Sequence, residues 1–205
     1  MMVQGLKREI GSFRTQAFIH RILRRIAHYR DSCRFTIILA NPYKVIPLAR
    51  YAVTHRLRLA ENLEKQYELA GLCPFEAVMV TADEATRVIF PPIVELRNEG
   101  HCIMDGVHRF MAAQACGLNA VSCVQVEGES LPALPCDPIS WEEIRVQDEQ
   151  MPLESILPGL KRALFRPLTS LFNSTEFTFC TGDEALRFVD GVYVNRKQKK
   201  GVDHA

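Results

Sequence analysis

The spacing of apolar residues predicts helices and short strands that alternate along most of the chain. Apolar residues at helical intervals predict an amphipathic helix over residues 13–30. The largely apolar, β-branched segment Arg34–Ala40 predicts a strand that ends at an Asn-Pro turn signal. A second helical pattern covers residues 48–70. Its basic residues come early and its acidic residues late, against the helix dipole, so two helices with a break near residue 60 are the alternative.

Residues 75–126 carry the clearest pattern, in which strands flank one short helix. The prolines before the second strand cannot donate to a ladder, so they mark where that strand begins. Gly117 stands where a helix-terminating glycine is expected. The predicted elements are a strand at 75–81, a helical or turn segment at 82–88, strands at 92–96 and 101–104 around a turn, a helix at 107–116 and a strand at 120–126.

The remaining residues give a weaker pattern because prolines interrupt it. Residues 131–138 predict an extended segment, and residues 141–146 predict a short helix. Further along we expect a strand at 176–180, a helix at 185–189, a strand at 192–194 and a basic tail at 196–205.

The composition is that of an ordinary globular protein. The 205 residues are 47% hydrophobic and 24% charged, which suits one compact core, alone or with a helical extension. No apolar run approaches the roughly 18–20 residues needed to cross a bilayer. Arginines interrupt the N-terminal segment, so it does not have the pattern of a signal peptide. We expect a cytoplasmic protein without a membrane partner.

The chain has seven cysteines, an odd number without a Cys-x-x-Cys pair. This argues against a disulfide framework and against a zinc ribbon. The segment from His101 to Cys123 holds three cysteines and two histidines, so a metal site there is the alternative. We expect reduced, half-buried thiols.

The net charge of +1 hides a strong asymmetry. Residues 1–60 carry twelve lysines and arginines against two acids, and residues 61–205 carry thirteen against twenty-two. This division predicts an anionic partner, such as nucleic acid on the basic residues 14–58, or docking of one part of the molecule on the other. A solvated basic face on a packed helix is the alternative, and no aromatic residues interleave with the arginines to stack on bases.

The segment Asp105-Gly106-Val107-His108-Arg109 joins a predicted strand to a predicted helix within two residues. Helix N-termini leave backbone N–H groups unpaired and present positive potential, so they bind anions. Gly106 lets a phosphate approach the backbone, while His108 and Arg109 add donors in the first turn. Asp105 is a candidate magnesium ligand or base. The structural alternative is that Asp105 caps the helix and Gly106 makes a tight turn.

The pattern around this segment resembles the ParB N-terminal domain. That family has a Pro-Ile-Val strand, a hairpin, an Asp-Gly-x-His-Arg turn, paired alanines, a glycine and a further apolar strand. This chain matches the pattern with Pro92-Ile93-Val94, Asp105 to Arg109, Ala112-Ala113, Gly117-Leu118 and residues 121–126. The likeness covers residues 74–128. It implies a ParB/sulfiredoxin-like α/β fold with a small mixed sheet, in which the turn at residues 105–109 meets nucleotide phosphates.

The superfamily includes several activities, and departures from its patterns separate them. ParB proteins bind CTP and centromere DNA, sulfiredoxin uses ATP and a cysteine, and free serine kinases use ADP or ATP to phosphorylate an amino acid. Val107 stands in place of the sulfiredoxin cysteine, and residues 129–205 contain no helix-turn-helix pattern of the ParB kind. The His-Arg pair is most similar to the serine-kinase branch.

That branch implies a phosphotransferase for a small hydroxylated metabolite such as an amino acid, with ATP or ADP (CTP being the alternative) and magnesium. The residues implied by the likeness are Asp105 and Glu84 for catalysis, Asp105 for the metal, and Gly106, Val107, His108 and Arg109 for the phosphates. Glu84, as the base, has the alternative of a first-turn helix acid. Trp141, the only tryptophan, is the candidate for substrate packing, with core packing as its alternative.

We therefore predict an α/β protein in three parts. Residues 1–72 form a basic helical N-terminal extension, residues 73–150 a ParB-like nucleotide-binding core, and residues 151–205 a C-terminal extension that packs on the core. Two other functions stay open, namely a ParB-like nucleotide-gated DNA-binding protein and a non-catalytic regulatory or binding module.

Overall fold

The computed structural model describes residues 6–7, 12–29, 32–82, 85–168 and 178–180. The strands are β1 (Leu6–Lys7), β2 (Arg34–Ala40), β3 (Tyr51–Val53), β4 (Val78–Ala82), β5 (Ala85–Ile89), β6 (Ile93–Arg97), β7 (Gly100–Asp105), β8 (Val121–Glu127), β9 (Arg145–Gln147) and β10 (Thr178–Cys180). The helices are α1 (Ser12–Leu23), α2 (Thr54–Leu69), α3 (Val107–Ala115) and α4 (Leu153–Ile156).

A four-stranded mixed sheet in the order β2-β8-β6-β7 forms the centre of the molecule. β2 runs antiparallel to β8 along its whole length, and β6 and β7 form an antiparallel hairpin. α3 then carries the chain from β7 back to β8, which lies parallel to β6. Helices and a mixed sheet confirm the predicted α/β class.

Helices cover both faces of this sheet because successive residues of each strand point to opposite faces. On one face, Leu23 of α1 packs in a cluster with Val124 of β8. On the other face, Leu63 of α2 and Phe110 of α3 pack in a cluster with Cys123, the neighbouring residue of β8. All five side chains are fully buried. The result is a three-layer arrangement in which α2 and α3 share one face.

The predicted division at residue 72 does not separate two bodies. β2 lies inside the central sheet, and α2 shares a core cluster with α3, so residues 34–72 belong to the same core as β6, β7 and β8. Without β2, one edge of β8 would lack a hydrogen-bonding partner. The basic part that lies outside the sheet is α1, and even this helix buries Ile19, Ile22 and Leu23.

Two segments that match a helical pattern are strands. Residues 85–89, which overlap the segment predicted as helical or turn at 82–88, form β5, which pairs antiparallel with β4. Three of its five residues are β-branched, which favours a strand once a partner strand is adjacent. Residues 51–53 form β3, which pairs in parallel with β9. The helix predicted from residue 48 therefore begins only at Thr54.

From Thr54 to Leu69 α2 is one continuous helix, so the alternative of a break near residue 60 is wrong. The short helix predicted at 141–146 is a single 3-10 turn, Trp141–Glu143, followed by β9. Among the described residues, no helix is both long and apolar enough to span a bilayer.

A second sheet has the order β1-β4-β5-β10, and its last strand falls within the strand predicted at 176–180. The predicted helix at 185–189, strand at 192–194 and basic tail at 196–205 lie outside the described residues.

A buried ion cluster ties the central sheet to later parts of the chain. Glu95 of β6 accepts hydrogen bonds from Tyr29 at 2.8 Å, from Arg166 at 2.9 Å and from Arg97 at 3.1 Å. The side chains of Glu95 and Arg166 are fully buried. Burial and the adjacent carboxylate raise the pKa of Tyr29 well above its ordinary value, so Tyr29 stays a neutral donor. The two arginines also donate to the carbonyls of residues 131–133 at 2.7–3.4 Å.

Candidate functional site

The turn between β7 and α3 consists of Gly106 alone. Its φ of 96° lies in the left-handed region that favours glycine. A Cβ on Gly106 would lie 2.8 Å from the Cβ of Pro92, which is closer than carbon atoms pack. Glycine is therefore required here on steric grounds, and this turn brings the start of α3 against residues 90–92.

Replacing Gly106 by alanine is expected to lower the free energy of unfolding by about 2 kcal/mol, because of the left-handed backbone and the contact with Pro92. Gly117→Ala is the matched control, since Gly117 also has a positive φ (69°) but no atom within 4 Å of the added Cβ. We expect the control to lose about 1 kcal/mol. Urea denaturation measures both variants, and equal losses would contradict the effect of Pro92.

Arg109 folds back onto this turn. Its Nη2 donates to Asp105 Oδ2 at 2.7 Å, and its Nη1 donates to the carbonyl of Phe90. The side chain is only 13% exposed. Gly106, not Asp105, is the N-cap residue of α3, so the capping alternative for Asp105 is wrong. Arg109 therefore organises the turn, and its guanidinium faces protein atoms on two sides.

His108 connects the start of α3 to the start of α2. Its Nε2 accepts a hydrogen bond from the backbone N–H of Val53 at 2.9 Å. Burial lowers the pKa of His108 to about 4, and the nearby Arg56, Arg109 and His55 lower it in the same direction. The ring is therefore neutral at pH 7 and carries its proton on Nδ1.

α2 and α3 lie side by side and point the same way. The bond from Val53 to His108 joins their starts, and further along both helices the Cys116 thiol lies close enough to the Glu64 carboxyl group to act on its pKa. Because the start of α2 contacts the start of α3 and a later turn of α2 lies beside the end of α3, the two helices run parallel. We call residues 53–56 and 106–109 together the paired helix starts.

The paired helix starts concentrate positive potential at one end of the molecule. Neither N-cap residue, Val53 nor Gly106, makes a side-chain cap, and neither first turn contains an acidic residue. His55 and Arg56 are exposed on the first turn of α2. Because the backbone N–H groups and the positive ends of two parallel dipoles meet here, the arrangement attracts anions.

Two other predicted site residues, Glu84 and Trp141, are not among the paired helix starts. Glu84 lies outside the described residues. Trp141 donates its indole N–H to the carbonyl of Val45 at 2.9 Å and packs against the core cluster of α2 and α3. In the part of the chain that the structure describes, no group of three metal-ligating side chains occurs. Asp105 supplies one carboxylate, and magnesium bound to nucleotide phosphates needs only one or two carboxylates beside water.

The phosphate site predicted from sequence does not include the first turn of α2. Residues 51–53 match a helical pattern, which places the predicted helix start at residue 48 and hides the true start. The available signal is the cluster of basic residues at His55, Arg56 and Arg58. That signal indicates charge, but it does not reveal that the cluster opens a helix beside Gly106.

Six cysteines are free thiols, namely Cys33, Cys73, Cys102, Cys116, Cys123 and Cys136. Burial raises the pKa of Cys102 to about 11, of Cys123 to about 12 and of Cys136 to about 11. These thiols therefore remain protonated at neutral pH, which disfavours nucleophilic chemistry at them. The prediction of half-buried thiols is wrong for four of the six, since Cys33, Cys102, Cys123 and Cys136 are buried.

Comparisons of the chain with protein-family models, with curated proteins and with solved structures gave no match. The likeness to the ParB N-terminal domain consequently rests on the residue pattern described above. The function of the paired helix starts has to be inferred from their geometry and charge.

Proposed function

We propose that the chain is a nucleotide-dependent phosphotransferase of the cytoplasm, which acts on a small hydroxylated metabolite such as an amino acid. The paired helix starts would bind the phosphates of ATP or ADP, with CTP as an alternative. The observation that carries this proposal is that His108 and Val53 hold two uncapped helix N-termini together. Two such N-termini suit a chain of phosphates better than a single anion.

The residues of the turn take different roles in this proposal. The backbone N–H groups of Gly106, Val107 and His108 face the phosphates, because helix bonds to Gly106 O begin only with the N–H groups of Arg109 and Phe110. Arg109 holds the turn through Phe90 and Asp105 and adds positive charge beneath it.

The proposed chemistry needs magnesium and a base. Magnesium would neutralise phosphate charge, with Asp105 as its protein ligand. Glu84 remains the proposed base for the acceptor hydroxyl, on the family likeness alone. Trp141 remains a proposal for substrate contact, although its indole N–H is already bonded to Val45.

Nucleotide binding provides the direct test. We expect calorimetric titration with ATP, ADP, CTP and GTP, each with magnesium, to give saturable binding to the wild-type chain for at least one nucleotide. Val107→Asp should weaken that binding at least tenfold, because a carboxylate in the first turn of α3 would repel phosphate. The same carboxylate favours the helix dipole, so folding should be preserved.

Val107→Asn is the matched control, since asparagine has nearly the same shape without the charge. We expect its affinity to stay within about threefold of wild type, because the phosphate would still meet an uncharged first turn. Absence of saturable binding to the wild-type chain, or equal affinities in the Asp and Asn variants, would refute the phosphate site.

Nucleic-acid binding is the second candidate function. It has support from α1, which buries its apolar side while Arg21 on the helix and Arg24 and Arg25 just after it are exposed. Binding of duplex DNA that falls steeply with salt, without saturable nucleotide binding, would favour this candidate. Saturable nucleotide binding without turnover of any hydroxylated metabolite would instead favour a non-catalytic module.

A further inference from the structure

An open cleft of about 1130 Å³ lies at the end of the central sheet opposite the paired helix starts. The turn between β6 and β7 lines this cleft, whereas the other end of β7 leads into Gly106. The volume is larger than a small metabolite requires and suits a short peptide. The cleft is therefore a second candidate site, separate from the one described above.

The buried ion cluster beside this cleft has an unbalanced charge. It contains two guanidinium groups, from Arg97 and Arg166, but one carboxylate, from Glu95. Tyr29 contributes a neutral hydroxyl. One guanidinium thus has no carboxylate of its own within the cluster and is met by backbone carbonyls, which compensate a largely buried charge less well than an anion does.

Of the two arginines, Arg97 is the one that can bind an additional anion. Arg166 is fully buried, and each of its nitrogens donates to Glu95 or to a carbonyl at 3.2 Å or less. Arg97 lines the cleft with 14% of its side chain exposed. Its Nη1 makes a single long contact, 3.4 Å from the carbonyl of Leu131. A carboxylate in the cleft could take a shorter bond from Nη1 and complete the charge balance.

The rest of the lining indicates what the carboxylate is attached to. Apolar side chains come from Leu96, Leu131, Leu134 and Pro138. Exposed carboxylates come from three separate segments, and none of them forms an ion pair with any residue that the structure describes. These carboxylates are Glu99, Glu129 and Asp137. Arg34, which pairs with Glu127, and Lys161 also line the cleft. The cleft thus combines the inner guanidinium of Arg97 with apolar walls and a rim on which carboxylates outnumber cations.

We propose that the cleft binds the C-terminal carboxylate of a peptide whose last residues are apolar and follow a basic residue. The terminal carboxylate pairs with Arg97, the apolar side chains contact the leucines, and the basic side chain meets Glu129 and Asp137. The wall at residues 131–133 is preformed, because hydrogen bonds from Arg97 and Arg166 hold its carbonyls.

Fluorescence anisotropy with labelled tetrapeptides tests this proposal on the full chain. The probe is Lys-Ala-Leu-Leu with a free C-terminus, and the comparison peptides are its C-terminal amide and Glu-Ala-Leu-Leu with a free C-terminus. We expect the free acid with lysine to bind at least tenfold more tightly than either comparison peptide. Equal binding of acid and amide, or no binding of the probe, would overturn the proposal.

Two variants test separately the contact with the terminal carboxylate and the contact with the basic side chain. Arg97→Gln should remove the preference for the free acid over the amide. Glu129→Gln with Asp137→Asn should remove the preference for lysine over glutamate while the acid is still preferred over the amide. Glu68→Gln with Glu149→Gln neutralises two exposed carboxylates elsewhere and should change neither preference. A loss of both preferences in this control would also overturn the proposal.

Discussion

Replacing Glu95 by alanine is expected to lower the free energy of unfolding by about 3–5 kcal/mol, the range for a buried ion pair that loses one partner. The substitution leaves the guanidinium groups of Arg97 and Arg166 without a carboxylate and the hydroxyl of Tyr29 without an acceptor. It also loosens the attachment of residues 131–133, which both arginines hold. Urea denaturation followed by circular dichroism measures the loss.

Glu99→Ala is the matched control for Glu95→Ala, because Glu99 is an exposed carboxylate on the turn of the same hairpin. Its free energy of unfolding should stay within about 0.5 kcal/mol of wild type. The double variant Glu95→Met with Arg166→Met should recover part of the loss, since it removes opposite buried charges together. A single Glu95→Ala variant within 1 kcal/mol of wild type would show that the cluster does not stabilise the fold as described.

The free energy of unfolding is expected to fall by about 3 kcal/mol through His108 alone when the pH drops from about 6.5 to about 4. Over this interval the unfolded chain binds a proton at residue 108, whereas the folded ring stays neutral until about pH 4. The contribution is therefore complete above pH 6.5 and lost as the pH falls. Protonation also turns Nε2 from an acceptor for the Val53 N–H into a donor.

His108→Gln isolates this contribution, because an amide oxygen can still accept from Val53 but does not titrate in the interval. Carboxylates elsewhere also titrate between pH 4 and 6.5, so the measured quantity is the difference between wild type and variant at each pH. We expect this difference to shrink or reverse as the pH falls. A difference that is constant from pH 7 to pH 4.5 would mean that His108 does not stay neutral in the folded chain.

The turn at residues 105–109 is predictable from sequence because its signals are local. A strand-sized apolar run, a glycine and a helical pattern that ends at Gly117 place the helix at 107–116, and the observed helix is Val107–Ala115. The role of His108 is not predictable in this way. Its partner Val53 lies 55 residues earlier, and a histidine in a first helical turn does not reveal that its ring accepts a bond.

Segments without a strong periodic pattern depended on partners that sequence does not reveal. Residues 51–53 are compatible with a helix, yet they form β3 because β9, more than 90 residues later, offers a parallel edge. Residues 85–89 form β5 because β4 offers them an antiparallel partner. In both cases local preference is weak and ladder hydrogen bonds decide the structure.

The amino-acid pattern alone was sufficient for the α/β class, for β2, for the hairpin of β6 and β7, and for the helix that follows Gly106. Those features rest on periodicity, turn residues and backbone sterics within a few neighbouring positions. Only the tertiary structure brought the start of α2 beside the start of α3 and closed two arginines around Glu95. Those sites consist of contacts between distant segments, and their geometry depends on how the layers pack rather than on any local preference.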